Sequence, residues 1–152
     1  MYPMKALLVF VSLLVAGCTT GSISATRVTL VIPDSFRGEV FLVASPESAQ
    51  DWAISEIVVP PSGIVPIKNL PGLVAIPPDH FRARYVSGER IGNSVLRTGK
   101  EVSLWPVSYV DDQLFYFVVG TFHEKTVYEN QRMSMGWSDI IGSLKKKKSP
   151  HE

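Results

Sequence analysis

Two histidine–acid neighbours are the first places in this chain where chemistry could sit, Asp79-His80 and His123-Glu124. A histidine beside a carboxylate works as an acid, a base or a metal ligand only when further groups converge on it. The run His123-Glu124-Lys125-Thr126-Val127 has valine where the zinc-protease helix motif needs its second histidine. The third histidine, His151, lies in the tail, so no metal centre is expected. No Gly-x-Ser-x-Gly elbow occurs, and Gly99-Lys100 is followed by Glu101 where a phosphate loop needs Ser or Thr. Asp111-Asp112 could do acid–base work in a cleft, but before an apolar run the pair reads as the polar turn of a hairpin. Trp52, Trp105 and Trp137 remain as candidate binding residues, because indole rings stack sugars and anchor partners. A hydrolase is the alternative that would use Asp79, His80, His123 or Glu124, and it requires them in one cleft.

The elements that would position these residues read mostly as short strands. Residues 27–32 and 39–44 are β-branched or apolar runs around Pro33-Asp34-Ser35 and Phe36-Arg37-Gly38, close enough to pair as a hairpin. Further extended pieces are predicted at 54–59, 64–67 and 73–76. Residues 81–86 alternate, with Phe81, Ala83 and Tyr85 on one face and Arg82 and Arg84 on the other. A short strand at 102–105 is expected to end at Pro106. Residues 114–120 are the most apolar stretch after the N-terminus and read as a central strand. Residues 126–128 are a further strand candidate, and 133–144 are the one expected helix. This pattern predicts an all-β fold, either a β-sandwich or a partly open barrel, with a small antiparallel β-sandwich of about seven or eight strands and a short C-terminal helix favoured.

Residues 1–5 carry one positive charge, and an apolar run of roughly ten residues follows, half of what a spanning helix needs. Charged start, apolar run and small residues are the order of a secretory signal. The residues that close it, Val15-Ala16-Gly17-Cys18, resemble the lipobox of bacterial lipoproteins. That resemblance implies cleavage between Gly17 and Cys18, a diacylglycerol thioether on the Cys18 sulfur and acylation of the new amino group. Two or three acyl chains hold a protein stably on a bilayer where one does not. Cys18 is the single cysteine, so no intramolecular disulfide can form. Val15 stands where the family most often has leucine. Thr19 is not the aspartate linked to inner-membrane retention, which implies an outer-membrane address facing the periplasm if the source has two membranes.

The chain divides on this reading into a cleaved signal at 1–17, a small polar tether at 18–26, a β-sandwich domain at 27–132, and a helix with a lysine-rich tail at 133–152. The 152 residues are 45% hydrophobic and 19% charged, which suits a folded domain. Between the signal and Lys145 there are 10 basic and 13 acidic residues, no footprint for nucleic acid. Lys145, Lys146, Lys147 and Lys148 form a solvated end or a contact for an anionic surface.

Residues 30–40 also resemble an uncharacterised lipoprotein domain with an I-P-x-x-aromatic-x-G-x-V signature, carried here by Ile32-Pro33, Phe36, Gly38 and Val40. Gly63-Ile64-Val65-Pro66 and Leu70-Pro71-Gly72-Leu73 match its later stretch. The resemblance implies a transthyretin-like or immunoglobulin-like sandwich and brings no activity. A noncatalytic, lipid-anchored envelope module is therefore expected. Its only cofactor would be the covalent lipid on Cys18, and its partners membrane lipid with an envelope protein or glycan. The alternative is a sugar- or peptide-binding lipoprotein using the tryptophans.

Overall fold

The computed structural model describes residues 27–51, 56–93, 100–110 and 113–147. The strands are β1 (Val28–Ile32), β2 (Gly38–Ala44), β3 (Glu56–Val58), β4 (Ile64–Ile67), β5 (Phe81–Tyr85), β6 (Arg90–Asn93), β7 (Ser103–Val110) and β8 (Leu114–Gly120). The helices are α1 (Leu70–Val74), α2 (Phe122–Met133) and α3 (Trp137–Lys147), with a 3-10 turn at Pro78–His80.

All eight strands join one sheet in the order β3-β1-β5-β6-β7-β8-β2-β4. Its two edge strands are consecutive in sequence, linked by residues 59–63. Flat, seven strand spacings would part those edges by roughly 34 Å. Six Cα steps span at most ~21 Å, so the sheet must curl until its edges approach. The result is a nearly closed barrel. Its interior is filled by the inward set of the strands, among them Leu30, Leu42, Ile57, Val65, Phe81, Leu104 and Phe117. Leu70 and Leu73 of α1 join that core.

The all-β expectation holds for the barrel, but the sheet is single and mixed. The pairs β1–β3, β1–β5, β2–β4 and β6–β7 are parallel, while β5–β6, β7–β8 and β2–β8 are antiparallel. It is not two antiparallel layers. The predicted hairpin of residues 27–44 does not form, because β1 pairs with β3 and β5 while β2 pairs with β4 and β8. Proximity in sequence was outweighed by partners that bury both faces. Pro33 does end β1, and Phe36 packs against the barrel core.

β8 lies between β7 and β2 and is buried along its whole length. Phe115, Phe117 and Val119 point into the barrel, while Leu114, Tyr116 and Val118 point to the outside and are covered by the helices. Two covered faces explain a continuous apolar run in place of alternation. β5 shows the expected alternation, Phe81 and Ala83 being buried and Arg82 exposed. β7 does not stop at Pro106 but runs to Val110. Its register against β8 shifts between Pro106 and Ser108, the kind of bulge at which a strand tolerates proline. Asp111-Asp112 lies outside the described residues. The strands on either side pair antiparallel, with Val110 opposite Leu114.

Two other strand predictions give way to helix. Residues 70–74 form α1, so the piece at 73–76 is not extended. Residues 126–128 lie inside α2, whose start is fixed by a capping box: the Thr121 hydroxyl accepts from the Glu124 N–H, and the Glu124 carboxylate accepts from the Thr121 N–H. The expected helix at 133–144 is divided by Gly136, α2 ending at Met133 and α3 beginning at Trp137. Both helices lie against the outer wall of β2, β8 and β7, so the boundary expected at 132/133 falls inside α2.

The corner between β3 and β4 needs Gly63, whose φ is +71° and whose added Cβ would lie 2.2 Å from the Glu39 carbonyl oxygen. The Gly63 carbonyl accepts from the Phe41 N–H at 2.8 Å, tying this corner to β2. Gly63→Ala is expected to cost about 2 kcal/mol, measured as a lower urea midpoint with an unchanged slope.

Candidate functional site

A polar cluster is built where the helices meet the barrel. Glu39 on β2 and Tyr116 on β8 point outward from neighbouring strands, and Arg132 reaches them from the last turn of α2. The Tyr116 hydroxyl donates to Glu39 Oε1 at 2.9 Å. Arg132 Nε donates to the same oxygen at 2.6 Å, and its Nη2 donates to Oε2. The Arg132 guanidinium also lies over the Phe41 ring, 5.4 Å from its centre. Phe41 and Tyr116 stack at 5.0 Å.

Tyr116 is fully buried. Burial, and then the Glu39 charge and hydrogen bond, push its hydroxyl well above the ordinary tyrosine value. The hydrogen bond to Glu39 raises Arg132 further. Tyr116 therefore stays a neutral donor and Arg132 a fixed cation. Two cavities flank Arg132, of about 260 and 200 Å³, small for a drug-sized ligand. The cluster joins α2 to the barrel with a largely buried carboxylate as its centre.

Trp137 belongs to the same seam. It is half-buried and meets Tyr116 edge-on at 6.0 Å. Trp105 is buried at 7% exposure, its Nε1 donates to the Gly120 carbonyl at 2.8 Å, and its ring meets Phe122 at 5.6 Å. Both tryptophans pack helices onto the barrel, and Trp137 also lines the cavity of about 200 Å³ beside Arg132. Trp52 lies outside the described residues, as do Val15, Ala16, Gly17 and Cys18.

The two histidine–acid neighbours do not converge. Asp79 and His80 sit on the 3-10 turn that leads into β5, whereas His123 and Glu124 open α2 after β8. Strands β6 and β7 lie between. Among the described residues no group of three or more His, Cys, Asp or Glu could hold a metal ion. Burial works to raise the Glu124 carboxyl, but hydrogen bonds from Thr121 and Arg37 outweigh it and hold the group below its ordinary value. Arg37 Nη2 lies 2.5 Å from Glu124 Oε2. A depressed value means that the stabilisation is present above about pH 4.5 and lost as the pH falls through the native value. Thr121→Ala should cost about 1 kcal/mol at neutral pH, and Glu124→Gln should flatten the acid limb of stability, both read by urea titration across pH.

The wall opposite the helices is basic, and neither helix covers it. Arg27, Arg82, Arg84 and Arg90 line a groove of about 390 Å³ across β1, β5 and β6, with Glu56 of β3 at its side. Arg84 Nη2 contacts Glu56 Oε1 at 3.1 Å. Arg82 Nη1 folds onto the Asp79 carbonyl at 2.5 Å. Arg84 and Arg90 stand directly opposite in the β5–β6 ladder, a like-charge pairing that costs a few tenths of a kcal/mol. Four of the ten basic residues between the signal and the lysine tail meet in this groove with one acid, although that stretch is acidic as a whole. The alternation at 81–86 announced Arg82 and Arg84; Arg27 and Arg90 are added by the β1–β5 and β5–β6 registers.

No helix among the described residues is long and apolar enough to cross a membrane. No protein-family model matches this sequence, and no curated protein matches it. The chain is similar to a crystal structure of a "Putative Lipoprotein from Bacillus anthracis", at 10% identity and a TM-score of 0.38, over 80% of this chain and 95% of that one. A likeness of that size assigns neither fold nor role.

Proposed function

We propose that this chain is a cell-envelope lipoprotein, anchored by lipid on Cys18, whose barrel domain acts by binding and carries out no reaction. The observation that carries this reading is the run Val15-Ala16-Gly17-Cys18 directly after an apolar N-terminal segment, in a chain with no other cysteine. Small polar residues 19–26 then separate the anchor from β1. The barrel's main polar clusters are taken up in holding its helices, which supports the reading that it carries out no reaction. Glu39, Tyr116 and Arg132 satisfy one another in holding α2, and Glu124 is occupied by Thr121 and Arg37. With Thr19 after the cysteine, the address is the outer membrane, periplasmic face, in a two-membrane source.

In-cell crosslinking of the chain, with Cys18→Ala as control and mass spectrometry as readout, tests the proposal. A partner recovered only with the intact anchor is expected. A substrate-dependent activity abolished by changing one polar residue would overturn it.

A further inference from the structure

We infer that the groove of Arg27, Arg82, Arg84 and Arg90 is a docking face for anionic phospholipid headgroups, which lays the barrel on the membrane that holds its anchor. This rests on the anchored reading above. Guanidinium groups grip phosphate oxygens through paired N–H donors, which suits them to a phosphodiester surface. Among the described residues, the Arg27 and Arg90 side chains make no hydrogen bond or ion pair, so two donor sets are open to an outside ligand. Arg90 faces Arg84 directly across their strands, a like-charge contact that Glu56 offsets from the Arg84 side and that an anion beside Arg90 would offset from the other. Val58, 56% exposed on β3, shares the outward face of Glu56 and adds an apolar contact beside the arginines.

The tether settles the occupant. Nine Cα steps separate Cys18 from Arg27 and span at most roughly 32 Å. Arg27 is itself part of the groove, so the anchor holds this wall within reach of the bilayer. Among the described residues the helices cover the opposite wall, at β2 and β8, and neither reaches across this one.

The full chain carrying Cys18→Ala, which cannot be lipidated, is cosedimented with phosphatidylcholine vesicles with and without phosphatidylglycerol. The N-terminal segment, apolar and positively charged at Lys5, is present in every variant, so the difference between the arginine variants and the chain with all four arginines excludes its contribution. Each arginine near an anionic surface contributes about fivefold, so phosphatidylglycerol should raise binding at least about tenfold at low salt. The increase should vanish near 1 M salt, where the screening length is about 3 Å. Arg82→Gln with Arg90→Gln should remove most of it, and Arg90→Gln alone, which breaks no contact among the described residues, part of it. Lys145→Gln with Lys146→Gln should leave it intact. An increase that is absent, that survives the arginine changes or that follows the lysine tail overturns the inference, as does binding to a soluble anionic polymer but not to the vesicles. The mass of the Cys18 peptide from the unaltered chain is read separately. Unmodified Cys18 with a persisting phosphatidylglycerol effect defeats the anchor and leaves the docking face standing.

Discussion

Phe117→Ala should lower stability by about 4 kcal/mol, the largest loss expected of any single truncation here. Phe117 is fully buried on the inward face of β8, 5.1 Å from Phe81 and 4.6 Å from Phe115 by ring centres. β8 is an interior strand, flanked by β7 and β2, so a void at Phe117 borders residues from strands on both sides. A curled sheet with consecutive strands at its two edges can collapse little around such a void without opening its seam. The loss should appear as a melting temperature lower by roughly 15 °C for a domain of this size. In urea the midpoint should fall with no change of slope. A loss below about 1 kcal/mol would mean that the barrel interior is not close-packed around this ring.

Glu39→Ala should cost about 3 kcal/mol by a different route. The carboxylate accepts from Tyr116 and twice from Arg132, so its removal leaves a guanidinium and a buried hydroxyl without their acceptor. The penalty comes from those stranded groups more than from lost attraction. Removing them together with Glu39, as Glu39→Leu, Tyr116→Phe and Arg132→Met, should therefore recover most of the stability. Tyr116 adds a pH signature. Its native hydroxyl keeps its proton above the ordinary value of 10.0, so its stabilisation is present below that pH and lost as the pH rises beyond it. Tyr116→Phe should flatten the alkaline limb, followed by circular dichroism. If the triple change is as damaging as Glu39→Ala alone, the seam works by packing and not by satisfied polar groups.

What the sequence made legible follows from how local each signal is. The β5 alternation and the apolar β8 run were readable because each depends on the faces of a single strand. The capping box Thr121-x-x-Glu124 was equally local and marked α2, but β-branched Thr126 and Val127 drew the reading toward strand. Packing and the cap overrode that preference. The mixed sheet order was not readable. β1 has β3 and β5 as neighbours because of barrel closure, a property of the whole chain, and nearness in sequence argued for β2. The Glu39–Tyr116–Arg132 seam joins positions up to 93 residues apart, so no spacing could announce it. Half of the arginine groove was visible as Arg82 and Arg84 in β5, while Arg27 and Arg90 needed the registers. Residue type offered the tryptophans as binding residues, and their packing at the helix seam, Trp105 on Phe122 and Trp137 on Tyr116, depended on the tertiary fold.

Mass spectrometry of the N-terminal peptide of the chain, purified from the membrane fraction of expressing cells, tests the anchor most directly. A mature chain beginning at Cys18, its sulfur carrying diacylglycerol and absent in Cys18→Ala, is the expected result. A chain cut elsewhere, or Cys18 with a free thiol, would contradict it.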